Sequence, residues 1–223
     1  MNSQYASNHL RAYLFTCFIG IWIAAGIVIA FVMPPARELR ATPAAFFHIP
    51  MAVTTIVAFI LAAWHGAAWL RKRQTRSDAM SLAYAEIGAV CGLIATASGA
   101  IWARANWGSY WSWDPQQIGI VATLLTYGAL FSLRSAVEDE DKQRNLWAVY
   151  ALFGALAAVF WTMIFRRLLP SLHPDHTILK SSMLFRFALW FNIAGYIMLV
   201  VRLAGLRARL EMARQILKDS QWA

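Results

Sequence analysis

Charge is scarce in this chain: 14% of its 223 residues are charged, and acidic groups are the scarcer kind, 11 against 20 basic. A soluble domain of this size carries about a quarter charged residues, so the low figure argues against a water-facing surface. Cysteine is limited to Cys17 and Cys91, both inside long apolar runs, where thiols behave as small apolar groups; a disulfide framework is excluded. The sequence has no Walker motif or other Gly-rich phosphate loop, so the chain does not itself hydrolyse nucleotide. It also lacks internal repeats and low-complexity tracts, which excludes solenoid and linker architectures.

Hydrophobic residues make up 60% of the chain, mean hydropathy is +0.50, and there are 11 tryptophans. These values describe an all-α polytopic membrane protein with a single membrane domain over residues 1–223. A span needs about 20 mostly apolar residues, which predicts six helices, at roughly 11–33, 48–70, 82–103, 115–133, 146–165 and 182–203. An even number puts both termini on one side. The first run is too long for a signal-peptide core and is read as a retained span.

Orientation follows from the basic residues. The linker Arg71-Lys72-Arg73-Gln74-Thr75-Arg76 is the densest basic cluster, and the tail, residues 204–223, adds Arg207, Arg209, Arg214 and Lys218 just beyond Arg202. Thirteen of the 20 Lys and Arg fall on the side of the termini and the second and fourth connections, against seven on the other, so the termini and tail are expected to be cytoplasmic. The acidic run Glu138-Asp139-Glu140-Asp141 barely weighs in this rule and reads as a solvated turn. The net charge of +9 and pI of 10.1 reflect side chains at helix ends reaching anionic lipid, so the expected partner is the bilayer and not nucleic acid.

The most specific stretch is Trp107-Gly108-Ser109-Tyr110-Trp111-Ser112-Trp113-Asp114-Pro115, four aromatic rings in seven residues between two apolar runs. That density exceeds an interfacial anchoring belt. By the topology above, this loop (104–115) shares the non-cytoplasmic side with Ala45-Phe46-Phe47-His48-Ile49-Pro50 and Leu172-His173-Pro174-Asp175-His176. Neutral imidazole is the commonest metal ligand, and haem iron takes two axial donors while its ring packs on aromatic faces, so outer histidines beside indoles suit haem. Zinc needs three or four tight protein ligands and has no use for a wall of indoles. No Cys-x-x-Cys-His is present, so haem is not attached covalently to this chain. Each residue also has a plainer reading: His48 as an interfacial residue, Asp114-Pro115 as N-cap and first turn of the fourth span, His173 or His176 as turn residues. A helix continued through the loop would set Trp107, Tyr110, Trp111 and Asp114 on one face, with Trp113 pointing elsewhere.

Inside the spans His65 and Glu86 lie at similar depth on either side of the short linker, which predicts a mutual His/Glu contact. Arg104, Arg166 and Arg167 are outer cations able to meet carboxylates or to snorkel, with Arg104 ranked first because it adjoins the aromatic loop.

The segment Trp107-Gly-Ser-Tyr-Trp-Ser-Trp-Asp114 resembles the tryptophan-rich WWD signature of haem-handling proteins for cytochrome c maturation. With six spans, about 220 residues, a Phe-His at the second span's entrance and a Leu-His173-Pro in the fifth loop, the chain resembles the CcmC family over nearly its whole length. The resemblance implies that His48 and His173 are axial ligands of a transiently bound haem b, that Trp107, Gly108, Tyr110, Trp111, Trp113 and Asp114 form its platform, and that His173 is preferred to His176. It further implies residence in the bacterial inner membrane, a CcmE-like haem chaperone as recipient, and CcmA-, CcmB- and CcmD-like partners. Pro115-Gln116-Gln117 is closer in wording to CcsA, a longer protein of the other maturation system, whose cytochrome c synthase is the alternative assignment. The expected activity is haem binding and transfer without bond chemistry. A haem permease would need a polar path through the spans, and a quinol-linked cytochrome b would need paired intramembrane histidines.

Overall fold

A computed structural model describes residues 2–32, 42–173 and 181–222. The described residues are helical with short connections and contain no strand. Helices α1 (Asn2–Val32), α2 (Thr42–Lys72), α3 (Thr75–Trp107), α4 (Pro115–Ala136) and α5 (Glu140–Val159) follow in order; a π-turn over Phe160–Ile164 leads into the short α6 (Phe165–Leu168), and α7 (Met183–Trp222) closes the bundle. Among the described residues, six helical stretches are long and apolar enough to cross a membrane: Leu10–Val32, Pro43–Lys72, Thr75–Trp107, Pro115–Ala136, Glu140–Leu168 and Met183–Lys218. The chain is therefore a multi-pass membrane protein, as its composition predicts.

The helices outrun the apolar runs at both ends. Helix α2 begins at Thr42, so His48 and Pro50 lie within it instead of at its mouth, and Pro50 has no N–H for the carbonyl four residues back. Only Arg73 and Gln74 separate α2 from α3, the reversal being made by Arg73 at φ 54°. Helix α7 continues through the basic tail to Trp222.

Packing centres on α2, which lies between α3 and α5, with α7 against α3, α2 and α1. Alanines at Ala58, Ala62, Ala79, Ala83, Ala85, Ala151 and Ala204 are almost wholly buried in this seam; small side chains let helix backbones approach closely, which supplies the van der Waals contact that lipid cannot replace. Phe59 stacks on Tyr127 at 3.5 Å between ring centroids, locking α2 to α4. A second apolar cluster, Phe46, Trp102, Phe185, Leu189 and Ile193 with Trp107 against it, forms the floor of the end where α2 starts and α3 stops.

The expected His65–Glu86 contact does not form. Glu86 pairs with Arg207 of α7 at 2.8 Å, and His65 stacks on Tyr84 with centroids 5.5 Å apart. Equal depth in a bilayer does not fix rotation about the helix axis, and an arginine on a third helix offers a carboxylate a bidentate partner that a histidine cannot match.

Candidate functional site

At the end of the bundle where α2 and α4 begin, a cavity of about 440 Å³ opens among α2, α3, the start of α4 and the π-turn. His48, His173, Trp107, Trp111, Arg166 and Arg167 stand on its wall with aliphatic side chains such as Ile49, Val53, Ile56 and Ile120. Its size falls in the range of small-molecule pockets, and its wall is mostly apolar with a few polar groups, as such pockets are.

Each histidine on this wall is held by its Nδ1. His48 Nδ1–H donates to the Ala95 carbonyl of α3 at 2.9 Å. Gly99, one turn along α3, makes room for the ring: a Cβ there would come 2.7 Å from His48 Cε1. His173 Nδ1–H donates to Asp114 Oδ1 at 2.8 Å, and its ring meets Trp107 edge-on at 4.9 Å and lies over Trp102 at 6.1 Å. Metal-binding histidines commonly donate one ring N–H to a carbonyl or carboxylate, which fixes the tautomer and leaves Nε2 with its lone pair. Both histidines have that arrangement.

Asp114 ties the site together. It is 3% exposed and caps α4, Oδ1 accepting from the Gln116 N–H at 2.9 Å, while Oδ2 accepts from the Ser171 hydroxyl at 2.9 Å and the Leu172 N–H at 2.6 Å. One carboxylate thus joins the start of α4 to the segment bearing His173. Burial alone would raise its pKa, but the bonds from Gln116, Leu172 and Ser171 and the adjacent His173 hold it below the ordinary carboxylate value. For His173 burial is the largest influence and lowers the pKa; Asp114 works against this and Arg166 adds to it, with the net result below the ordinary imidazole value. The ring is accordingly neutral near pH 7, the form able to donate electrons to a metal.

The aromatic loop is not a helix. Helix α3 ends at Trp107, and Gly108 caps it in the left-handed region at φ 80°, its N–H donating to the Arg104 carbonyl. Beyond it Gln117 holds the loop, donating from Nε2 to the Tyr110 carbonyl at 3.2 Å and accepting from the Ser112 N–H at 2.9 Å. Because the helix stops, the expected shared face breaks up. Trp107 and Trp111 reach the cavity. Tyr110, 59% exposed, lies beside the Arg104 guanidinium, and Trp113, 74% exposed and at φ 57°, meets the ring of Trp111 edge-on. Arg104 bonds back to the Gly108 carbonyl, whereas Arg166 and Arg167, ranked below it from sequence, stand on the cavity wall. The π-turn brings them there: it shifts the register of the fifth span so that Thr162, Met163, Arg166 and Arg167 all border the cavity. Helix α4 meets this turn so closely that a Cβ on Gly119 would lie 2.2 Å from the Trp161 carbonyl oxygen. His176 lies outside the described residues.

The family described as heme exporter protein C matches residues 3–223. The chain belongs to that family. Among its relatives, heme exporter protein C of Paracoccus denitrificans is 30% identical over 199 residues, covering 85% of this chain and 81% of the relative. The protein of the same name from Rhodobacter capsulatus is 30% identical over 219 residues, 88% of each chain. A shorter similarity, 33% over 75 residues and 34% of this chain, connects it to the cytochrome c biogenesis protein CcsA of Synechococcus. Full-length kinship is thus with the exporter family, and the CcsA-like wording around Pro115 is a local likeness.

The donor set agrees with what this family is named for. Among the described residues no group of three or more His, Cys, Asp or Glu is placed to hold a bare metal ion. Two constrained imidazoles on an indole-walled cavity instead suit an iron that brings four equatorial nitrogens of its own.

Proposed function

We propose that the protein binds haem and hands it on during cytochrome c maturation, with His48 and His173 as axial ligands through Nε2 and Trp107 and Trp111 against the ring. The observation that carries this reading is the pair of imidazoles tied back at Nδ1 on one apolar cavity. Asp114 is the positioning residue for His173, and Gly108, Tyr110 and Trp113 shape the loop's exposed edge, the part of the platform that a recipient can touch. Six ligands saturate the iron and leave no open coordination site, which suits carriage without chemistry on the cargo. The protein is a transfer component and not an enzyme.

The surplus of basic residues at the opposite end orients the site outward from a bacterial inner membrane, with both termini and the tail over residues 204–223 cytoplasmic. The whole chain forms one membrane domain with the aromatic loop at 104–115. A CcmE-like chaperone takes the haem b from this face, and CcmA-, CcmB- and CcmD-like subunits complete the assembly, as the relatives' name as exporters suggests.

Purification of the full chain followed by visible absorption spectroscopy tests the site. His48→Ala and His173→Ala are expected each to remove the bis-histidine spectrum, while His65→Ala leaves it intact. Loss of haem with His65→Ala alone overturns the assignment, and loss with His176→Ala in place of His173→Ala moves one ligand by three residues.

A further inference from the structure

We infer that Arg166 and Arg167, with Gln116, form a carboxylate-binding wall that selects an acid-bearing macrocycle and fixes which of its edges faces the fifth span. The inference rests on the haem-site reading above and adds a chemical demand on the ligand. Three observations support it. Both guanidinium-bearing residues border the same cavity as His48 and His173, although most of that cavity is apolar. Arg167 makes no hydrogen bond or ion pair among the described residues, and Arg166 stands next to it on the same wall. Gln116 lines this cavity, and its buried Oε1 atom has no hydrogen-bond partner among the described residues, although its backbone N–H is engaged by Asp114.

A buried amide oxygen without a donor carries an energetic penalty that a native fold seldom leaves uncompensated, so it marks a place where a polar group is expected. Rotation of that amide by half a turn exchanges its oxygen for NH₂, and amide orientation is decided by the partner present. Arginine binds carboxylate through two parallel N–H donors, and the low dielectric of an apolar wall strengthens such contacts. Purely apolar contact with a near-symmetric disc leaves its rotation free, whereas anchored carboxylates set one rotation. The edge without carboxylates then lies away from the arginines.

The test compares iron protoporphyrin IX with its dimethyl ester, which keeps ring and iron but lacks negative charge, on the full chain in detergent. Wild type is expected to bind the ester about tenfold or more weaker than the acid, read from the titrated visible spectrum, and to release it faster. The Arg166→Gln, Arg167→Gln double variant should lose that preference while binding the ester as wild type does, which also shows that it folds; lysine at both positions should restore part of the preference. Equal binding of acid and ester by wild type overturns the inference, as does a double variant that keeps the preference; the arginines then serve lipid headgroups. Failure of wild type to bind either compound defeats the haem-site reading and this inference together, whereas equal binding defeats this inference alone.

Discussion

The two ends of the bundle treat charge in opposite ways. At the end where α3 and α5 begin, a cleft of about 580 Å³ is lined by Glu86, Glu140, Glu211, Arg134, Arg144, Arg207 and Lys218, and the carboxylates are matched. Asp78, buried beside it, takes both forks of Arg134 at 2.8 and 2.7 Å; Glu86 and Glu211 share Arg207; Glu140 takes Lys218 and Arg144. At the other end, polar atoms are held in place but left with capacity to spare: Nε2 of the two histidines tied back at Nδ1, the Gln116 amide oxygen, the Arg167 guanidinium. Saturated polar groups stabilise a fold, while unsatisfied ones around a cavity are retained for a ligand. The arginine-rich end is therefore read as structural and the histidine end as functional.

The sharpest way to break that contrast is Asp78→Ala. Asp78 is 1% exposed, and its removal leaves Arg134 with an uncompensated charge in a nearly dry setting, a change of about 3–5 kcal/mol in the direction of instability. Thermal unfolding of the purified chain should show a large fall in midpoint, and the fraction still folded should retain its haem spectrum. A haem spectrum altered in proportion to nothing but this charge would mean that the two ends are coupled and the division of labour is wrong.

Asp114→Asn sharpens the comparison from the other end. An asparagine keeps one oxygen: at the Oδ1 position it still serves the α4 cap and His173 but turns its NH₂ toward the Leu172 N–H, and at the Oδ2 position it turns its NH₂ toward the Gln116 N–H and the His173 Nδ1–H, so a donor on the segment bearing His173 loses its acceptor either way. The expected stability loss is about 1–3 kcal/mol, below that of Asp78→Ala, with a shift in the visible spectrum of bound haem as His173 loses its orientation. An unchanged spectrum would separate Asp114 from ligand positioning and leave it as a helix cap.

How much of this was legible beforehand depends on whether the signal is linear or spatial. Six apolar runs gave six spans, because bilayer thickness imposes a length that composition reports directly. The helix ends were less legible: polar residues at 75–81 and 204–222 continue as helix once α2, α3 and α7 pack on one another, which no apolar count registers. The π-turn was invisible, since Phe160–Ile164 reads as ordinary apolar helix, and with it the cavity positions of Arg166 and Arg167. Adjacency in sequence to the aromatic loop ranks Arg104 first, but in the fold it bonds back to Gly108. His48, His173, Trp107, Trp111 and Asp114 were legible as residue types in a dense pattern, whereas the roles of Gln116 and Gln117 depend on which loop carbonyls and amides they face. The His65–Glu86 expectation missed for the same reason: Arg207 is distant in sequence and near in space.

The smallest expected effect is at Glu86, and it calibrates the rest. Its side chain is 32% exposed and Arg207 26%, so solvent screens their attraction; Arg207 also keeps Glu211 at 2.8 Å when Glu86 is neutralised. Pairs this open contribute less than about 1 kcal/mol, and Glu86→Gln retains an oxygen to accept from Arg207. The unfolding midpoint should therefore move little, far less than in Asp78→Ala, although both lose a carboxylate paired with arginine at the same end of the bundle. Burial, not the count of ion pairs, would then account for stability there. A Glu86→Gln loss as large as that of Asp78→Ala would show that this cleft depends on its charge network as a unit, and the matched end would no longer be a set of independent contacts.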